Sequence, residues 1–276
     1  MTAAGVPSYG QVMIEAPLPD PDAGGPPTSD PQNVLSDELE EASRGLDHEH
    51  PDVTGGWLRP AVFGAMDGLV SNFALIMGVV GGTTADDTKP IVLAGLAGLA
   101  AGSFSMAAGE YTSVASQSEF ALAQVEVERE EILENERGET AELAAMFVDK
   151  GVDEDTARDM AAQIHQDPDQ AVRVHAREEF GVGVDDLASP ILAAASSFFA
   201  FAFGALIPLL PYLVGVESPW AAIALSLVAL FACGAVVTRL TARSWMFGGI
   251  RQLLLGGAAA GLTYLVGEAV GRSLSQ

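Results

Sequence analysis

Asp67 stands inside FGAMDGLVSNFALIMGVVGG (Phe63–Gly82), an apolar run long enough to cross a bilayer. A carboxylate at mid-span costs roughly 2.5–3.5 kcal/mol on insertion scales, a cost that calls for a function. It can hold a metal ion or proton in transit, or make a helix-packing hydrogen bond to Ser71 or Asn72. Gly68, Ser71 and Asn72 can also support local unwinding that bares carbonyl groups to an ion. Outside the apolar runs, a second set of carboxylates recurs. Glu128 and Glu131 are three apart, hence neighbours on one helix face, and Glu139 and Glu142 repeat that spacing beyond a break expected at Gly138. If the two helices form a hairpin, four carboxylates converge. Carboxylate oxygens suit divalent cations such as Mn²⁺, Fe²⁺, Mg²⁺ and Ca²⁺. The bland alternative is a solvated, glutamate-rich surface.

The elements that must carry these groups follow from where the charge lies. The chain has 276 residues, 49% of them apolar, and a net charge of −24. The charge sits mainly in residues 1–56 and 117–188, whereas Trp57–Ser116 and Ser189–Gly271 are apolar blocks. A soluble domain spreads charge along every amphipathic element; segregation is the membrane pattern. Five segments are long enough to span: 60–82, 90–114, 190–214, 219–238 and 247–270. Pro208 and Pro211 predict a kink or an early end to the third. The insert reads as helical: the second span continues outward as a long rod, followed by three shorter helices. The fold class is therefore all-α, a polytopic membrane protein with five transmembrane helices and a cytoplasmic helical domain, the candidate metal-binding domain, between the second and third. Its expected divisions are a disordered acidic tail (1–45), spans one and two (46–116), the glutamate-rich domain (117–188) and spans three to five (189–276).

Several classes are excluded. The lone Cys233 forbids an intrachain disulfide or a thiolate cluster. No basic stripe exists to meet nucleic acid phosphates. The chain opens without the basic start and apolar core of a signal peptide. Arg59, Arg239, Arg243 and the basic residues of the insert orient the N-terminus to the cytoplasm and the C-terminus outward. His48 and His50 form a small metal lure or nothing specific, and His165 reads as a surface residue. Glu110, four after Met106, can pass metal, accept a proton or snorkel to water.

Together, GAMDGLVSNFALIMGVVGG, AGLAGLAAGSFSMAAGEYTSVASQSE and the glutamate-rich insert resemble the vacuolar iron transporter family in its bacterial branch, over about residues 57–272. The resemblance implies a five-span homodimer that exports Fe²⁺, often Mn²⁺ too, across the cell's inner membrane in exchange for protons. Metal is cargo there, and no permanent cofactor is implied. It carries the family's cytoplasmic metal-binding glutamates onto Glu128, Glu131, Glu139, Glu142 and Glu179, with Glu178 as a register alternative. Its first-span aspartate falls on Asp67 and its second-span methionine on Met106. Two departures stand out. Some members have a glutamate eight residues before the methionine, where this chain has Gly98; its second-span carboxylate is Glu110. Members also place methionines before the final glutamate, whereas this chain has His175 four before Glu179, a ligand still suited to Fe²⁺ or Mn²⁺. The alternatives are a Mn²⁺-selective exporter and a membrane-anchored metal sensor or store without flux.

Overall fold

The computed structural model describes residues 56–83, 88–183, 187–238 and 243–274. The tail over 1–45, the pair His48 and His50, and Arg239 lie outside the described residues. Eight helices, with no strand, make up the described part: α1 (Leu58–Gly82), α2 (Lys89–Glu134), α3 (Glu136–Asp149), α4 (Glu154–Ile164), α5 (Pro168–Glu179), α6 (Pro190–Leu213), α7 (Pro219–Val237) and α8 (Trp245–Leu274). Of these, α1, α2, α6, α7 and α8 are long and apolar enough to cross a membrane.

α1 is the hub of the spanning bundle and packs against the four other spans. Its Leu69, Phe73 and Met77 close a core with Leu230 of α7 and Ala260 of α8. Ile76 joins Ile91 of α2, Leu209 and Tyr212 of α6, and Ala222 of α7 in a second core. Small residues permit these approaches, because helices in lipid associate through close packing rather than hydrophobic exclusion. A Cβ on Gly68 would lie 2.2 Å from the Phe201 carbonyl oxygen, and one on Gly204 would lie 2.1 Å from that of Ala65. This close crossing gives Gly68 its use. α1 runs unbroken through Gly68, Ser71 and Asn72, so the unwinding expected there does not occur. Ser71 donates instead to the backbone oxygen of Asp67 (2.6 Å), and the buried Asn72 donates to the Ala205 carbonyl on α6 (2.6 Å). α6 continues through Pro208 and Pro211 and ends two residues later at Leu213.

α2 has 46 residues, about 69 Å at 1.5 Å per residue. That is roughly twice the ~30 Å of a hydrocarbon core, so its distal half projects beyond the spans. The rod ends at Asn135, not at Gly138. Asn135 leaves helical geometry (φ −140°, ψ 50°) and its side chain accepts from the Gly138 backbone N–H as the cap of α3. A Cβ on Gly138 would meet that side-chain amide at 2.0 Å, so glycine here admits the cap instead of ending the helix. Beyond the reversal, distal α2 packs on α5 through Val125, Ile132, Ala171, Val172 and Ala176. α3 packs on α4 through Leu143, Ala144, Phe147, Ala157 and Ala161. Asp153 and Asp167 cap α4 and α5, each accepting two backbone N–H groups. Arg129 and Asp169 tie α2 to α5 at 2.7 Å.

Candidate metal sites

Two constellations stand out, one within the spans and one on the projecting helices. The first is a cleft of about 260 Å³ lined by Asp67, Ser71 and Asn72 of α1, Gly98, Gly102, Ser105 and Met106 of α2, and Phe201 of α6. It brings Asp67 and Met106 together. The Asp67 carboxylate has no hydrogen-bond or ion-pair partner among the described residues; Ser71 bonds to its backbone and Asn72 is engaged elsewhere. The helix-packing role for this carboxylate therefore has no bond behind it. Gly98 leaves the cleft open on one wall, where a Cβ would press on the Asn72 side chain at 2.9 Å. Glu110 is not part of the lining. It stands one turn beyond Met106, only 9% exposed, with Oε2 buried and unpartnered. Glu268, by contrast, pairs with Arg272 near the end of α8.

The second constellation forms because Asn135 reverses the chain. Glu128 and Glu131 on the last turns of α2 then come within electrostatic reach of Glu139 on the first turn of α3, which Glu142 neighbours on the same helix. The end of α5 adds His175 and Glu179. One ligand atom each from Glu128, His175 and Glu179 lie within 4.8 Å of one another. Glu128 is 2% exposed and His175 is fully buried. Glu178, the register alternative, points elsewhere and pairs with Lys150 at the end of α3.

Electrostatics tie the remaining glutamates to this centre. Burial, then Glu179, Glu139 and Glu131, push the Glu128 carboxyl up to about 8. Glu139 is raised by burial and by Glu142, Glu131 and Glu179, and pulled back by His165. Burial and the neighbouring His165 hold His175 down at about 4. Near neutral pH the centre thus combines a protonated Glu128 with a neutral imidazole. A cation must displace the carboxyl proton to bind.

The sign of the pH dependence follows. Since folding raises the Glu128 value, its ionisation opposes the metal-free fold, so the contribution of this one group is present in acid and is lost as pH rises towards about 8. Mn²⁺ is expected to bind up to about tenfold more tightly per pH unit over that climb. Calorimetric titration of the whole protein between pH 6 and pH 8 checks this, and a flat binding constant would sink the role given to Glu128.

His165 is the residue that the sequence reading misplaced. It is 6% exposed, not a surface side chain, and its ring meets that of His175 edge to face with centroids 5.2 Å apart. The signal was present in the spacing: Ala157, Ala161 and His165 are four apart and all buried, an inward stripe on one short helix. A larger cleft of about 910 Å³ lies between α3 and α4, but it holds none of the clustered glutamates. One of its carboxylates, Glu154, is already paired with Arg158.

Comparison with known proteins adds an independent line. The family model described as the VIT family matches residues 58–268. A vacuolar iron transporter of Acanthamoeba castellanii is 36% identical over 230 residues, covering 81% of this chain and 82% of its own. Vacuolar iron transporter homolog 1 of Arabidopsis thaliana is 33% identical over 222 residues, covering 76% and 84%. Vacuolar iron transporter 1 of the same plant is 27% identical over 231 residues, covering 82% and 91%.

Proposed function

Because the chain belongs to the VIT family, we propose that it is a proton-coupled exporter of Fe²⁺, and of Mn²⁺ as well, across the cell's inner membrane. The observation that carries this reading is the placement of two donor sets on one unbroken helix. α2 carries Met106 and Glu110 within the spans and Glu128 and Glu131 outside them. The acidic cluster captures the ion and raises its concentration at the membrane mouth. Glu110, buried between the two sets, passes it towards the cleft of Asp67 and Met106. A thioether beside a carboxylate suits a transition ion better than Mg²⁺ or Ca²⁺. Protons returning from outside neutralise the carboxylates and release the metal, so the gradient drives export. Metal is cargo throughout and not a resident cofactor.

An odd number of spans and the arginines at Arg59 and Arg243 support an inward N-terminus and an outward C-terminus. A homodimer with this cleft at its seam is part of the same proposal and comes from the family resemblance. The test is Fe²⁺ and Mn²⁺ flux in proteoliposomes with and without an imposed pH gradient. Gradient-dependent flux is the expected result, and it ranks the two ions directly. Tight binding without flux overturns export in favour of a sensor or store.

A further inference from the structure

The two buried imidazoles are more than a departure from the family pattern. The Nε2 atoms of His175 and His165 are both buried without a hydrogen-bond partner. Such orphaned groups are rare in folded proteins because each carries a desolvation cost. His165 Nδ1 lies 2.9 Å from the Ala161 carbonyl oxygen. A carbonyl can only accept, so the proton sits on Nδ1 and Nε2 presents a lone pair. The carbonyl bond fixes the His165 ring, which stands edge to face against His175 with centroids 5.2 Å apart.

His175 Nδ1 lies 2.8 Å from Glu128 Oε1, close enough for the two to share the carboxyl proton when no ion is bound. Two ligands held at about 2.1 Å from one ion and at right angles would sit about 3.0 Å apart. The spacing therefore suits a shared cation.

We propose that His175 makes this centre a mixed nitrogen–oxygen site by ligating the ion beside Glu128 and Glu179, with the edge-to-face ring of His165 positioning it, which selects divalent transition ions over Mg²⁺ and Ca²⁺. The inference rests on the acidic cluster being a metal site. Imidazole adds affinity for Fe²⁺, Co²⁺ and Zn²⁺, whereas Ca²⁺ takes six to eight oxygens and Mg²⁺ keeps its waters. A cluster of glutamates alone would discriminate poorly.

Co²⁺ is the probe, bound to the purified full-length protein and followed by its visible absorption and by calorimetry. Native protein is expected to keep Co²⁺ against about a hundredfold excess of Mg²⁺ or Ca²⁺. His175→Gln and His165→Gln are each expected to lose about tenfold or more in Co²⁺ affinity, with a changed absorption band and readier displacement by Ca²⁺. Zn²⁺ titration of native protein with ¹⁵N-labelled histidines supplies a readout that needs no variant at the site. The chain has four histidines, and replacing His48 and His50 by Ala leaves only the signals of His165 and His175 to move. If both Gln variants bind like native protein, or neither ring signal moves on Zn²⁺ addition, the nitrogen donor is refuted. Should Glu128→Gln also bind Co²⁺ unchanged, the acidic cluster itself is not the metal site. Loss of binding in Glu128→Gln alone leaves that reading standing and removes only the imidazole.

Discussion

Replacing Asp67 with asparagine is expected to reduce metal flux in proteoliposomes to the leak of empty vesicles, while Mn²⁺ binding to the acidic cluster stays at its native level. The two readouts separate because the sites are separate. Met106 and Glu128 are 22 residues apart on α2, about 33 Å along the helix. At that distance one substitution has little direct electrostatic effect on the other site. Asparagine keeps the shape and polarity of the side chain, so the bundle has no reason to repack. What it removes is the charge that would hold a cation or take up a proton. In the cleft the Asp67 carboxylate has no bonded partner among the described residues, and Ser105 and Met106 line the same space. A carboxylate kept within a span at a cost of roughly 2.5–3.5 kcal/mol needs a purpose of this kind. Normal flux through the Asp67→Asn protein would remove it from the pathway. Loss of flux together with loss of Mn²⁺ binding would instead show that the variant fails to fold.

The second large effect concerns the crossing of α1 and α6. Gly204→Val is expected to prevent assembly of the spanning bundle, with no monodisperse protein recovered in detergent. The obstacle is backbone. A Cβ at this position would stand 2.1 Å from the Ala65 carbonyl oxygen and 2.9 Å from the Leu69 nitrogen. Neither atom can rotate away as a side chain does, so α1 and α6 must separate. Overpacking a core typically costs about 1–3 kcal/mol, and prising two helices apart exceeds that. Separation would also break the bond from Asn72 to Ala205 and open the wall that Phe201 gives the cleft. Gly109→Ala serves as the control, because a Cβ there meets nothing within 4 Å. Well-folded Gly204→Val protein with normal thermal stability would contradict the observed closeness of the two helices.

Much of this architecture is decided by local chemistry. Backbone polar groups in lipid must be satisfied within their own segment, so five apolar runs of sufficient length become five helices whatever their neighbours. Asp67 is conspicuous for the same reason, since a charge in such a run stands out without any structure. The three-residue spacing of Glu128 with Glu131, and of Glu139 with Glu142, determines a shared face once each segment is helical. Other matters depend on which surfaces meet. Whether Glu178 or Glu179 brings its carboxylate to Glu128 and His175 depends on how α5 lies against α2 and α3, and Lys150 draws Glu178 away. Gly138 looks like a helix breaker in isolation, yet it serves the cap that Asn135 builds across space. His165 reads as polar and exposed until α4 packs beside α5 and sets its ring against His175. Sequence by itself determined the spans and the carboxylates, because the bilayer penalises each residue separately. Only the tertiary structure decided which carboxylates and imidazoles share a centre, because convergence belongs to the packing of helices and not to any one of them.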